Sequence, residues 1–338
     1  MTKLVRAAVL TNYLEVAAHL GLNPHTLLAD VGLSKALLQT PEQRIPIDAA
    51  VRLLESSAAA SGCQYFGLRM AESRQLSDFG VVSLLLTHQR TLRDALKVLV
   101  QYRHLMNDSL GIFVEEAGRM VIIREEVITG TPMPCRQANE LAIGVMFRLC
   151  AALLGSHWQP YSVNFTHQPP DNLQLHRRLF ACNVEFGSEF NGIVCPDASL
   201  DVANPHADPG MARYAQRYLD SLQHDERPST LFEVRKAIYL LLPMGRATIE
   251  QIAQTQGMNV RTLQRRLKED HCTFNDVIND VRRDLVLRYL ENPGYSVSQV
   301  ADMLGYSMAS SFTRWFIAQF GMPPASWRSA QKQAGEQP

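Results

Sequence analysis

Apolar residues recur every three to four positions over 3–20, 24–31, 46–60 and TLRDALKVLVQYRHLM (91–106), which predicts four amphipathic helices. The second opens on Asn23-Pro24, a helix-start signal. The rhythm changes at LGIFVEEAGRMVIIREEV (110–127), where two β-rich runs flank Ala117-Gly118 and predict a hairpin. A long helix is expected at 136–154, a strand at YSVNFTH (161–167), a helix near 172–180, and short strands at 184–186 and 191–195. A helix at 210–222 ends this half. The pattern predicts an α+β domain over residues 1–222, with helices outnumbering strands.

QHDERPST (223–230) is polar, charged and without apolar period, so a linker is expected over 223–229. Residues 230–330 then read as purely helical, and 331–338 as a disordered tail. Three helix starts match the capping box, in which two side chains satisfy each other's backbone donors. They are Thr230-x-x-Glu233, Thr248-x-x-Gln251 and Ser296-x-x-Gln299. Leu242-Pro243 closes the first helix, and Asn292-Pro293-Gly294 closes a long one that begins near Thr273.

The helical half repeats itself. Ile249, Gln251, Ile252, Ala253 and Gly257 fall on Val297, Gln299, Val300, Ala301 and Gly305 at a shift of 48; Leu263, Arg265 and Leu267 fall on Phe312, Arg314 and Phe316 at a shift of 49. In each unit an alanine lies four residues before a turn glycine. A small residue there lets two helices approach, and glycine accepts the turn's positive φ. The spacing predicts two helix-turn-helix motifs, about 249–270 and 297–320, joined by a linker helix. That helix, Thr273 to Glu291, would span ~28 Å, against roughly 34 Å between successive major-groove faces of a duplex.

In NVRTLQRRLKED (259–270), Val260, Leu263 and Leu267 form one stripe. Arg261, Gln264, Arg265 and Lys268 share a second face at the same helical spacing, cationic with an amide in its middle. Arginine pairs bidentately with guanine and glutamine with adenine in the major groove. A solvated charged face is the bland alternative, and Arg266 points elsewhere. In the second motif Met308, Phe312, Trp315, Phe316 and Phe320 are expected to be core. That leaves Ser310, Thr313 and Arg314 for the groove, with Ala309 able to touch a thymine methyl.

Charge adds a modest asymmetry to this picture. The chain of 338 residues has 33 basic and 33 acidic side chains. Residues 229–338 carry 13 basic and 10 acidic, so the front half holds the matching acidic excess. Six scattered cysteines (63, 135, 150, 182, 195, 272) read as small core residues of a reducing cytosol. Glu15 and His19 interrupt what a signal peptide would keep apolar, and no apolar run is expected to reach the ~20 residues that span a bilayer.

With these residues in view, the chain resembles the AraC/XylS-type transcription regulators over about 230–330. The likeness is carried by Gly305-Tyr306, Ser311-Phe312-Thr313-Arg314-Trp315-Phe316, Phe320-Gly321, Pro324 and Arg328. Ile252-Ala253 through Gly257 to Arg261-Thr262-Leu263-Gln264-Arg265-Arg266-Leu267 adds to it. The resemblance implies a seven-helix domain placing two motifs in adjacent major grooves of an operator, and activation through contact with RNA polymerase in a bacterial cytoplasm. Carried over by position, groove contacts fall on Arg261, Gln264, Arg265, Ser310 and Arg314. Ile317 departs from the pattern, since many relatives place a cation there. LTNYLEVAAHLGL, RIPIDAAVRLLE, the Leu92 to Asn107 helix and VEFGSEFNGIVCP resemble the arabinose-binding-like regulatory domain of one branch. That branch implies a small-molecule effector and control of catabolism, such as amino-acid utilisation.

The front half shows no G-x-S-x-G, P-loop or dinucleotide fingerprint, and Gly187-x-x-x-x-Gly192 lacks the following Lys-Ser/Thr. His104 and Asp108 stand four apart, more often a surface contact than a ligand pair. No two histidines are spaced as a metal pair with a carboxylate in view, so neither metal nor cofactor is expected. The leading expectation is an effector sensor rather than an enzyme. An enzyme with an appended autoregulatory DNA-binding domain is the alternative. A dimerisation plate is the third reading, which keeps a homodimer among the partners.

Overall fold

The computed structural model of the protein describes residues 3–222 and 229–335. They form two compact units, one on each side of 223–228. The expected linker lies almost wholly outside the described residues.

In the first unit, the helix expected at 3–20 is broken. Leu4–Arg6 is a short strand (β1), a 3-10 turn covers Ala7–Leu10, and only Tyr13–His19 is α-helical (α1). The cause is nonlocal: β1 pairs antiparallel with Arg44–Pro46 (β2), placing Val5 opposite Ile45. Between them lie α2 (Pro24–Asp30) and the short α3 (Lys35–Leu38). Asn23 caps α2 by accepting the His25 amide through its side chain.

Four helices follow: α4 (Ile47–Ser61), α5 (Phe66–Glu72), α6 (Val82–Thr87) and α7 (Leu92–Met106). The expected hairpin is β3 (Leu110–Ala117) and β4 (Met120–Val127), in register from Leu110↔Val127 to Ala117↔Met120. After α8 (Arg136–Leu154) come β5 (Ser162–Phe165), α9 (Gln174–Phe180), β6 (Asn183–Phe186), β7 (Gly192–Pro196) and α10 (Pro209–Leu222).

The five-stranded sheet runs β3-β4-β7-β5-β6, antiparallel except for the parallel β5–β6 pair. Ile123, Ile193 and Val163 align across its centre and are fully buried. The α8 helix packs on β4 and β7 as well as on α4 and α5. By length and composition, Arg136–His157 could cross a membrane, contrary to the expectation that no run approaches that size. Its first turns, however, bury Gln137, Asn139 and Glu140 against protein partners. The Asn139 Oδ1 accepts the Val127 amide at 2.9 Å, and Gln137 Oε1 accepts the Gly67 amide at 3.0 Å. This is the pattern of a helix in a protein core. None of the six cysteines forms a disulfide, and Cys63, Cys150 and Cys195 are buried.

The second unit is entirely helical: α11 (Thr230–Leu241), α12 (Ile249–Thr255), α13 (Val260–Glu269), α14 (Phe274–Glu291), α15 (Val297–Met303), α16 (Ala309–Phe320) and α17 (Pro324–Gly335). Of the three anticipated boxes, Ser296 with Gln299 forms in full, and Thr248 forms half of one: it accepts the Gln251 amide, but Gln251 Oε1 has no partner among the described residues. The third does not form, because the N-cap of α11 is Ser229 and Thr230 is already helical. A further box, Thr273 with Asp276, starts α14. Residues 331–335, expected to be disordered, continue α17, and 336–338 lie outside the described residues.

Candidate nucleic-acid interface

The two helix pairs, α12–α13 and α15–α16, are built alike down to individual backbone bonds. The Gly257 amide donates to Gln254 O at 3.0 Å and the Met258 amide to Ala253 O at 2.9 Å. In the second pair the Gly305 amide donates to Asp302 O and the Tyr306 amide to Ala301 O, both at 2.9 Å. Both glycines have left-handed φ, +62° and +72°. Ile252, Ala253, Leu263 and Leu267 are buried in the first pair, and Val300, Ala301, Phe312 and Phe316 in the second. These are the positions aligned by the repeat.

Burial of Leu263 and Leu267 fixes the rotation of α13, so Arg261, Gln264, Arg265 and Lys268 are all exposed. Asn259 caps the helix by accepting the Thr262 amide at 2.8 Å. Arg265 Nε lies 3.8 Å from Glu269 Oε1, but both side chains are about two-thirds exposed, and such pairs contribute little. No carboxylate pairs with Arg261 or Arg314 among the described residues. Arg266 is half-buried and off this face.

On α16, Ala309, Ser310 and Arg314 are exposed, whereas Thr313 is half-buried and its hydroxyl donates to Ala309 O at 2.9 Å. The expected apolar core of this helix is narrower than its composition suggests. Phe312 and Phe316 are buried, Trp315 and Phe320 half-buried, and Met308 is 59% exposed. Met308 is the N-cap, one position before the helix, where helical periodicity no longer directs the side chain. Ile317, where the resemblance implies a cation, is exposed.

The α14 helix holds both pairs. Its Arg282 donates through Nε to Leu304 O at 2.9 Å and lies 4.2 Å from the centre of the Tyr306 ring, gripping the turn of the second pair. On another face Asp284 accepts from Arg235 and Tyr239 of α11, which packs on α12 and α13. Near its end Leu290 O accepts from Arg328 of α17 at 2.9 Å.

In the first unit the structure assembles a charged cluster that linear spacing hides. Glu140 of α8 is fully buried, with Oε1 3.1 Å from His167 Nε2, 3.4 Å from His176 Nε2 and 3.7 Å from Arg136 Nε. The three partners come from a loop after β5, from α9 and from α8 itself, and Phe165, Phe180 and Phe186 surround the imidazoles. Burial pushes the Glu140 carboxyl up, but the two imidazoles facing Oε1 more than offset it and hold the group below the usual glutamate range.

Comparison with known proteins agrees in both units. The family described as the arabinose-binding domain of AraC transcription regulator, N-terminal, matches residues 21–204, and a helix-turn-helix domain matches residues 252–330. The chain is 31% identical over 330 residues to the HTH-type transcriptional regulator VirS of Mycobacterium tuberculosis, covering 96% of each. It is 23% identical over 334 residues to the ornithine utilization regulator of Pseudomonas aeruginosa, covering 97% of each. A shorter match, 32% over 79 residues, covers 23% of this chain and 30% of the transcriptional activator AggR of Escherichia coli. A helix-turn-helix domain in such a setting implies DNA binding. The chain belongs to the AraC family of helix-turn-helix transcription regulators, in the branch with an arabinose-binding-type N-terminal domain.

Proposed function

We propose that the protein is a sequence-specific transcription activator that reads an operator with two adjacent major-groove sites and answers to a small-molecule effector. The observation that carries the DNA reading is the duplicated helix pair, with an exposed face of Arg261, Gln264, Arg265 and Lys268 on α13 and of Ser310 and Arg314 on α16. The first face offers three cations around an amide, chemistry suited to guanine and adenine edges. The second offers one cation and one free hydroxyl, so it contributes position and affinity more than base choice; Thr313, occupied within its own helix, is the weakest member. The name of the transcriptional activator AggR supports activation, that of the ornithine utilization regulator supports a target in amino-acid utilisation, and contact with RNA polymerase is the route we propose for activation. Residues 1–222 are the effector-responsive half, 230–330 the DNA-binding half, and the cytoplasm is where such a protein works.

Base reading by Arg265 has a measurable signature. On a site selected from a random duplex pool, Arg265→Ala should weaken binding by about 1–3 kcal/mol while nearly sparing non-specific duplex. Equal losses on both DNAs would reduce the residue to a phosphate contact. Turnover of a metabolite by the front unit would instead support an enzyme with an autoregulatory DNA-binding domain.

A further inference from the structure

On β4, Val121, Ile123, Glu125 and Val127 share one face and are all buried, so a carboxyl occupies a position that otherwise takes Val or Ile. The opposite face is buried too at Arg124 and Glu126, but there each has a polar partner, Glu115 and Asn191 respectively. Glu125 is only 2% exposed, its Oε2 is buried without a hydrogen-bond partner, and it pairs with no cation among the described residues. A carboxylate in such a place sheds its charge, and burial pushes the Glu125 carboxyl well above the usual range. A neutral carboxylic acid presents an O–H donor, and none of the described residues accepts from its Oε2.

That group lines a cavity of about 140 Å³ whose walls are otherwise mostly aliphatic, including Val51, Leu54, Leu99, Ile112, Leu141 and Met146. An apolar cavity of roughly 150 Å³ accommodates benzene, so the body of an occupant is ring-sized. Three arginines also line the space. Arg6 is taken up by Glu42 and by Asp78 O, and Arg103 donates to Val100 O. Arg74, 5% exposed, donates to Ala8 O and Val9 O through its terminal nitrogens, while its buried Nε has no acceptor. Two unused donors, one of them on a guanidinium, call for an acceptor, and a carboxylate, which only accepts, suits them better than an ammonium, which only donates.

We propose that this cavity is the effector site and that it takes a compact, mostly apolar monocarboxylate whose head faces Glu125 and Arg74. The assignment rests on the reading of residues 3–222 as the effector-responsive half. It gives Glu125 the role of a protonated donor, not of a counter-ion for an amine. A carboxyl at a core position of the strand is then explained by recognition.

Calorimetry on the full chain with benzoate and hexanoate, beside benzylamine and hexylamine, tests it. The expected result is saturable binding of a carboxylate, one per chain, and none of the amines. Glu125→Gln keeps an N–H donor and should bind within about threefold of the parent; Glu125→Leu should lose at least tenfold. Val51→Phe fills the cavity and should abolish binding while the protein still melts cooperatively, which separates a blocked site from an unfolded one. Preferential binding of the amines, lost in Glu125→Gln, would overturn the proposal, as would failure of both carboxylates to bind saturably. Operator binding measured on the same preparations keeps the two readings apart. Retained DNA binding without carboxylate binding sinks the cavity assignment alone. Carboxylate binding with no preference for any selected DNA sinks the regulator reading and leaves the site.

Discussion

Phe316→Ala should unfold much of the second unit at temperatures the parent tolerates. Phe316 is fully buried on the inner face of α16, with its ring 5.9 Å from Phe312 and 4.5 Å from Phe320. Truncating such a ring removes its transfer energy and leaves a cavity, a loss of about 3–5 kcal/mol. A domain of this size has only about 5–15 kcal/mol in total, and each kcal/mol moves its midpoint by roughly 4–8 °C. Ile317→Ala, one residue on but 41% exposed, should stay within about 0.5 kcal/mol. Thermal melts followed by circular dichroism decide the matter. Equal midpoints for the two variants would mean that α16 does not pack through this face.

The second large effect belongs to Glu140. Its carboxylate, itself fully buried, is the shared partner of the buried His176 and the partly exposed His167 and Arg136. Glu140→Ala strands those groups and should cost about 3–5 kcal/mol, the scale seen when one member of a buried ionic group is removed. The pH dependence has a definite sign. The folded protein holds this carboxyl below the ordinary glutamate value of about 4.3. Its contribution is therefore complete above that value and is lost as pH falls through the lower, folded one. Urea midpoints at pH 7, 4 and 3 should drop more steeply for the parent than for Glu140→Gln. Parallel curves would show that the cluster is not linked to protonation.

The second unit was the more legible in sequence because its determinants are local. Thr248 and Ser296 cap helices that begin one residue later, and a 3.6-residue rhythm separates Leu263 and Leu267 from the exposed Arg261, Gln264, Arg265 and Lys268. Where local rules run out, so did the reading. Met308 precedes its helix, and Thr230 follows a cap supplied by Ser229. In the first unit the failures are nonlocal. Leu4–Arg6 is a strand only because residues 44–46 lie beside it. Glu140, His167 and His176 meet across three elements, with no spacing to announce them. Glu125 differs, since the alternation of MVIIREEV alone places a carboxyl among core positions. That signal lies in the sequence itself, beneath the hairpin pattern.

The grip on α14 from three sides makes it an angular key as well as a spacer. Adding one residue to a helix turns everything beyond it by roughly 100° and advances it by about 1.5 Å. Asp284 on α11, Arg282 on the Leu304 carbonyl and Leu290 on Arg328 could not all be kept after such a turn. A single inserted alanine between Arg283 and Leu290 should therefore abolish operator binding, and an operator with altered spacing should not rescue it. If the two helix pairs read adjacent grooves as proposed, operators that differ in spacing would have to be matched by the DNA, which can twist, rather than by this helix, whose contacts fix its rotation.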